Sequence, residues 1–90
     1  MRRAKLEIVK DVLEYCRHAP KRMSWVIQSV HLNSARGQKI LGLCVKRGFL
    51  QEVPMKNYLR KGYLTTENGR EFIKKYDELA AILQETIRAI

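Results

Sequence analysis

The C-terminal stretch of this 90-residue chain is the feature that most restricts what it can become. Beyond Thr66, residues Phe72, Tyr76, Leu79, Leu83 and Ile90 recur at steps of four and three, with Thr86 filling the polar slot in the series. Ile73, Ala80 and Ile87 form a second row beside them. The spacing predicts one helix from Glu67 to the end, ~35 Å long at the rise of an α-helix, with Thr66 as its N-cap and Glu67 where an acid complements the helix dipole. A domain of this size needs no helix of that length, and nothing earlier in the chain is left over to cover the distal half of its stripe. The simplest cover is the same helix from a second copy, packed as a coiled coil, with Phe72, Tyr76, Leu79, Leu83, Ile87 and Ile90 at the interface. A chain this short buries only about two-thirds of its unfolded surface, so such pairing also offsets a thin core.

Charge divides along the same boundary. Residues 1–65 hold 14 Lys or Arg against 4 acids, whereas residues 66–90 hold 4 against 5, so the net charge of +9 belongs to the first two-thirds. A one-sided positive field suits a polyanion, whether DNA, RNA or an anionic membrane, and a tail of mixed charge suits self-association. Apolar residues at 46% and charged residues at 30% are the composition of a folded protein. No apolar run approaches the roughly 20 residues of a membrane span. The opening residues, with acids at Glu7, Asp11 and Glu14, resemble neither a signal peptide nor a transit peptide, so the expected compartment is the cytoplasm, at the nucleoid.

Within the basic part, Leu6, Val9, Leu13 and Cys16, with Ile8 and Val12 alongside, predict a first helix over about 3–17, ended by His18-Ala19-Pro20. A second helix is expected to start at Ser24 as N-cap and to carry Trp25, Val26, Ile27 and Val30. After the turn Leu32-Asn33-Ser34, capped by Asn33 or Ser34, a third helix runs to about Arg47 with Gly37, Ile40, Leu41, Cys44 and Val45 inward and Gly48 as its stop. Two helices across so short a turn form a helix-turn-helix. Phe49 to Val53 and Tyr63-Leu64-Thr65 read as antiparallel strands, and the basic segment between them as a wing. The expected fold is α+β and mostly helical: a winged helix-turn-helix DNA-binding domain over 1–66, continuous with a dimerisation helix over 67–90.

On such a scaffold the exposed side chains near the start of the third helix read DNA. Arg36 and Gln38 carry forked groups suited to base edges, and Ser34 and Lys39 suit phosphates. Lys56, Arg60 and Lys61 on the wing, Lys21 and Arg22 before the second helix, and Arg2, Arg3 and Lys5 at the start complete the candidate interface. Trp25, Phe49, Tyr58 and Tyr63 read as core and wing packing rather than a base-stacking platform, which disfavours single-stranded RNA. Cys16 and Cys44 read as core residues; with His18 and His31 they match no familiar zinc spacing. Neither histidine has a carboxylate or serine partner and no glycine-rich phosphate loop follows a strand, so no enzyme, metal, cofactor or small-molecule substrate is expected. The expected partners are double-stranded DNA and a second copy. A sequence-selective transcriptional regulator is one alternative, and a winged helix that binds an acidic protein is another.

Three stretches together resemble a known family. Arg2-Arg3-Ala4-Lys5-Leu6-Glu7-Ile8 with Asp11-Val12-Leu13, then Leu32-Asn33 with Leu41, Leu43 and Lys46-Arg47-Gly48-Phe49-Leu50, then Tyr63-Leu64-Thr65-Thr66-Glu67-Asn68-Gly69 with Phe72, are similar to the archaeal ten-kilodalton winged-helix DNA-binding proteins of the Sulfolobus 10a class, often described as chromatin proteins. The resemblance implies an antiparallel two-stranded coiled coil with a winged helix at each end, and DNA bound largely without a strict sequence requirement. The chain departs from the family pattern at Ser34, where an aromatic is usual, at Gly37, where a Leu is usual, and at Ser24, Gln28 and His31, where Thr, Tyr and Asn are usual.

Overall fold

A computed structural model describes residues 4–56 and 60–90. Its elements are α1 (Lys5–Tyr15), β1 (Lys21–Arg22), α2 (Met23–Ser29), α3 (Ser34–Lys46), β2 (Leu50–Pro54), β3 (Lys61–Thr65) and α4 (Glu67–Ala89). The fold is the expected one, a winged helix followed by a long C-terminal helix. Val12 and Leu13 of α1, Val26 of α2, and Leu41 and Cys44 of α3 meet in one core with Cys16, Val30, Leu50, Tyr63 and Ile73, and Ile8 of α1 is buried as well. Leu6, expected in the α1 stripe, instead faces solvent.

Two expectations are corrected in the first half of the chain. Ser24 does not cap α2: the helix begins at Met23, its N-cap position is Arg22 in an extended conformation, and no side chain closes its first turn. The reason is the short strand β1, which has no counterpart in the sequence reading. Lys21 and Arg22 pair with Tyr63 and Gly62 through their backbones, so the chain enters the helix directly from a sheet edge. Trp25 is also not a core residue, at 40% exposure.

The turn between α2 and α3 follows its chemistry closely. His31 closes α2 in the left-handed region at φ 57°, where Asn is more at ease than His. Asn33 Oδ1 then accepts from Arg36 N at 2.8 Å and caps α3. Gly37 is explained by packing: a Cβ there would stand 2.5 Å from Ile27 Cγ1, so Ile27 fills the space a larger residue at this position would need. Gly48, at φ 79°, turns the chain out of α3.

The three strands lie in the order β1-β3-β2, both pairs antiparallel. Pro54 does not end β2 early but is its last residue, opposite Lys61, and the register runs back from there to Leu50 opposite Thr65. At that inner end the chain is knotted to three helices. Thr65 donates its backbone N–H to Cys16 O and its hydroxyl to Leu13 O at 2.7 Å, satisfying carbonyls that the end of α1 leaves open. Thr66 donates N–H to Phe49 O and its hydroxyl to Gly48 O, and accepts from Gly69 N at 3.1 Å as the cap of α4. Gly69 lies against the Phe49 carbonyl so closely that a Cβ would strike backbone.

From this joint α4 leaves the body of the molecule. Ile73 is buried in the core, Phe72 packs on Phe49 with ring centroids 5.3 Å apart, and Lys10 of α1 lies over the Tyr76 ring and 3.8 Å from Asp77. Beyond Ala80 every residue is exposed. The molecule measures 53 × 28 × 20 Å, with a radius of gyration of 14.3 Å; a compact chain of this length has about 12 Å. No described helix is long and apolar enough to cross a membrane.

The Thr65 hydroxyl sits in the core with a buried carbonyl as its acceptor, so Thr65→Val is expected to lower the unfolding free energy by about 1–3 kcal/mol, with Thr65→Ser losing less. Urea unfolding of the three proteins checks this; a valine variant as stable as the parent would show that the bond does not hold α1 to the sheet.

Candidate nucleic-acid interface

The solvent side of α3 is assembled by two requirements already met inside the fold. Gly37, Leu41 and Cys44 must face the core, and the Asn33 cap sets where the helix begins. Helical periodicity then turns Lys39 and Lys46 to the middle of the open side, with Arg36, Leu43 and Arg47 together on one flank, within about 40° of arc. Ser34 and Gln38 fall on the opposite flank, where Gln38 Nε2 donates to Ser34 Oγ at 3.1 Å. Arg36, Lys39, Lys46 and Arg47 are all exposed, and α3 contains no acid. Gly42 leaves bare backbone on this side, with nothing within 4 Å of the position a Cβ would take. A helix-interior glycine costs about 0.5–1 kcal/mol relative to alanine, and here it allows another molecule's backbone to come close.

Between α1 and α3 lies a groove of about 320 Å³, bordered by Lys5, Arg36, Lys39 and Arg47. Lys5, expected in a basic arm with Arg2 and Arg3, thus borders the same groove as Arg36 and Lys39 of the third helix. Arg47 and Lys46 were missed, although Arg47 stands eleven residues after Arg36, three full turns on the same flank. The floor of the groove is lined by Val9 of α1 together with Leu43 and Phe49, residues far apart in the sequence whose apposition has no local signal.

The remaining candidates are distributed around the sheet. Lys61 closes the outer end of the hairpin and lies 3.7 Å from Glu52 Oε2, an exposed pair worth at most about 1 kcal/mol that tempers its charge. Lys56 and Arg60 are exposed on either side of residues 57–59, and Tyr58 falls outside the described residues. Lys21 and Arg22 are half-buried in β1, with Lys21 Nζ 5.2 Å from the centre of the Tyr15 ring and the Arg22 guanidinium 5.2 Å from that of Trp25. They therefore sit against the wing strand rather than at a free helix start. Arg2 and Arg3 lie outside the described residues.

Burial pushes the Cys16 thiol up to about 12, partly opposed by Lys21, and the Cys44 thiol to about 11. Both thiols are protonated at neutral pH and lie buried among the core residues. Tyr63 is likewise raised, by burial first and then by Glu52. Among the described residues no three His, Cys, Asp or Glu side chains come together as a metal site.

The geometry of a basic, acid-free third helix beside a hairpin agrees with what comparison finds. The winged helix-turn-helix family profile matches residues 2–84. The crystal structure of Sso10a-2, a DNA-binding protein from Sulfolobus solfataricus, is 31% identical and superposes with a TM-score of 0.76 over 97% of this chain and 88% of that one. A mutant of MepR from Staphylococcus aureus bound to an oligodeoxyribonucleotide shares the fold at 10% identity and a TM-score of 0.75, over 91% of this chain and 62% of that one. Staphylococcus aureus MarR in complex with salicylate and kanamycin does so at 16% and 0.75, over 99% of this chain and 58% of that one. The chain thus spans about 60% of the length of these two. Among curated protein sequences nothing matches. By fold, by family profile and by identity over nearly its whole length, this chain belongs to the winged helix-turn-helix family, in the Sulfolobus 10a class that its motifs resemble.

Proposed function

We propose that this protein binds double-stranded DNA as a homodimer with low sequence specificity, in an architectural, chromatin-associated role rather than a catalytic one. The observation that carries the reading is the solvent face of α3, where Arg36, Lys39, Lys46 and Arg47 are exposed on a helix without acids. In a major groove, Lys39 and Lys46 at the centre of that face neutralise phosphates. Arg36 and Gln38 reach base edges, and Gly42 lets the backbone of the duplex approach. Lys56, Arg60 and Lys61 follow the flanking backbone or the adjacent minor groove, Lys5 extends the contact on the side of α1, and Arg2 and Arg3, outside the described residues, add their charge to phosphate neutralisation. The 31% identity to a protein described as DNA-binding supports this assignment.

Residues 67–90 serve as the dimerisation helix. Leu79, Leu83 and Ile87 are 57%, 54% and 69% exposed, a continuous apolar seam along a rod that its own chain leaves open. Pairing of two such rods in antiparallel sense sets a winged helix at each end. Phe72 and Tyr76, whose inner faces already rest on Phe49 and Lys10, offer only their outer edges to the partner.

Affinity drawn from phosphates is lost steeply with salt. In mobility-shift titrations on random duplex, log K should fall against log salt with a slope of about −0.9 per phosphate contact, and Lys39→Ala should make the slope shallower by about one. A flat dependence would contradict the mechanism, and no shift below micromolar protein would favour a protein partner instead. Stronger competition by single-stranded RNA than by duplex would also overturn it. A preference of roughly a thousandfold for the DNA upstream of the protein's own gene would replace the architectural role by a sequence-selective regulator.

Light scattering after size-exclusion chromatography tests the pairing separately. The parent protein is expected to be a dimer at tens of micromolar and Leu83→Asp a monomer with the winged helix intact; a monomeric parent would remove the coiled coil.

A further inference from the structure

A second, smaller cleft lies at the end of α1. Tyr15, the last residue of that helix, forms it with Trp25, Gln28 and Ser29 of α2, and its volume is about 220 Å³. Helical periodicity turns Trp25, Gln28 and Ser29 to one side of α2, away from Val26 and Ile27, which pack in the core. Tyr15 is 36% and Trp25 40% exposed, and a cation lies over each ring: Lys21 over Tyr15 and Arg22 over Trp25, both 5.2 Å from the ring centre. α4 starts beside the end of α1, where Thr65 bonds the Leu13 and Cys16 carbonyls, and reaches Lys10 by Tyr76 and Asp77, so its apolar seam runs away from Tyr15. The cleft shares no residue with the groove beside α3.

We infer that this cleft takes an unpaired base of single-stranded DNA, stacked on Tyr15 and Trp25, and so gives the protein a second nucleic-acid site that is independent of α3. Exposed rings flanked by cations match the two things every nucleotide of a single strand brings, a flat base to stack and a phosphate to neutralise. The Gln28 amide both donates and accepts, and Ser29 Oγ, which donates to Val26 O at 2.7 Å, still accepts, so the cleft also holds partners for the polar edge of a base. An acidic protein segment would meet the cations and leave both rings in water, and an apolar group would cover the rings and leave the cations without a counter-charge. At about 220 Å³ the cleft is smaller than self-contained small-molecule sites of about 300–1,000 Å³, so it suits one group of a longer chain. The bases of a duplex are stacked on one another and do not reach the rings, which makes the cleft selective for single strands. Trp25 in the core, as the sequence suggests, would offer no stacking platform; Trp25 outside offers one.

Trp25 is the only tryptophan of the chain, so its fluorescence reports on this cleft alone. The probe is an oligothymidylate of about eight nucleotides, titrated into the full-length protein, and saturable quenching of Trp25 is expected. A duplex of the same length should leave the fluorescence nearly unchanged while it binds. By anisotropy of a labelled strand, Tyr15→Ala and Trp25→Ala, both changes at exposed positions, should each weaken the oligothymidylate by about tenfold and leave duplex affinity within about twofold, with Trp25→Phe keeping most of the strand affinity. Lys39→Ala should do the reverse, weakening duplex and leaving the quenching midpoint in place. Strand binding without quenching, or equal quenching by duplex or by hexaglutamate, would overturn the site. Quenching by thymidine monophosphate at the concentrations that suffice for the strand, or an oligouridylate bound about tenfold more tightly than the oligothymidylate, would overturn single-stranded DNA as its ligand in favour of a free nucleotide or RNA. Quenching by the strand in a protein that binds no duplex would strike at the reading of α3 and leave the cleft standing.

Discussion

Everything in this molecule turns on the joint made by Thr65, Thr66 and Gly69. Within five residues the chain closes the end of α1 through Leu13 O and Cys16 O, receives the end of α3 through Gly48 O and Phe49 O, and caps α4. The Gly69 backbone lies directly on the Phe49 carbonyl, so α4 cannot pivot about its first turn without breaking that contact. A rod fixed in this way transmits geometry: under the proposed pairing, the orientation of α3 relative to a second copy would follow from where the two seams meet. A loose connection at the same place would leave two winged helices on independent tethers.

The division of charge follows the division of mechanical roles. The body carries the positive surplus and gathers it on α3 and around the wing, while α4 balances its own charges through pairs such as Lys75 with Glu71 and keeps an apolar seam. Each half therefore has one kind of unmet demand, anions for the body and apolar surface for the rod, and neither demand can be satisfied by the other half.

Much of this was legible because the decisive signals were local. Asn33 and Thr66 are caps whose side chains must bond within three residues, Gly48 sits where only a left-handed residue turns the chain, and the four-and-three spacing after Thr66 allows only a helix. What escaped the reading depended on distant partners. Lys21-Arg22 has no strand-like pattern, since a two-residue edge strand needs only backbone pairing with Tyr63 and Gly62, and without that strand Ser24 looked like the start of α2. Trp25 was assigned inward by its neighbours Val26 and Ile27 but lies outside under Arg22. Phe72 and Tyr76 looked like seam residues alone, yet the packing of α1 and Phe49 occupies one face of each. At the candidate interface, the exposure of Arg36 and Lys39 follows from their position in the first turns of the helix, whereas Arg47 lies three turns further on, where position at the helix start carries no signal.

The central claim is that the acid-free face of α3 is the surface that meets duplex DNA. Titrating a short random duplex into ¹⁵N-labelled protein at low salt and following amide shifts tests it residue by residue. The account predicts the largest changes at Ser34 to Lys46 and at Lys56, Arg60 and Lys61, with α4 beyond Ala80 unaffected. Changes concentrated along α4, or on α1 and β1 with α3 silent, would contradict it.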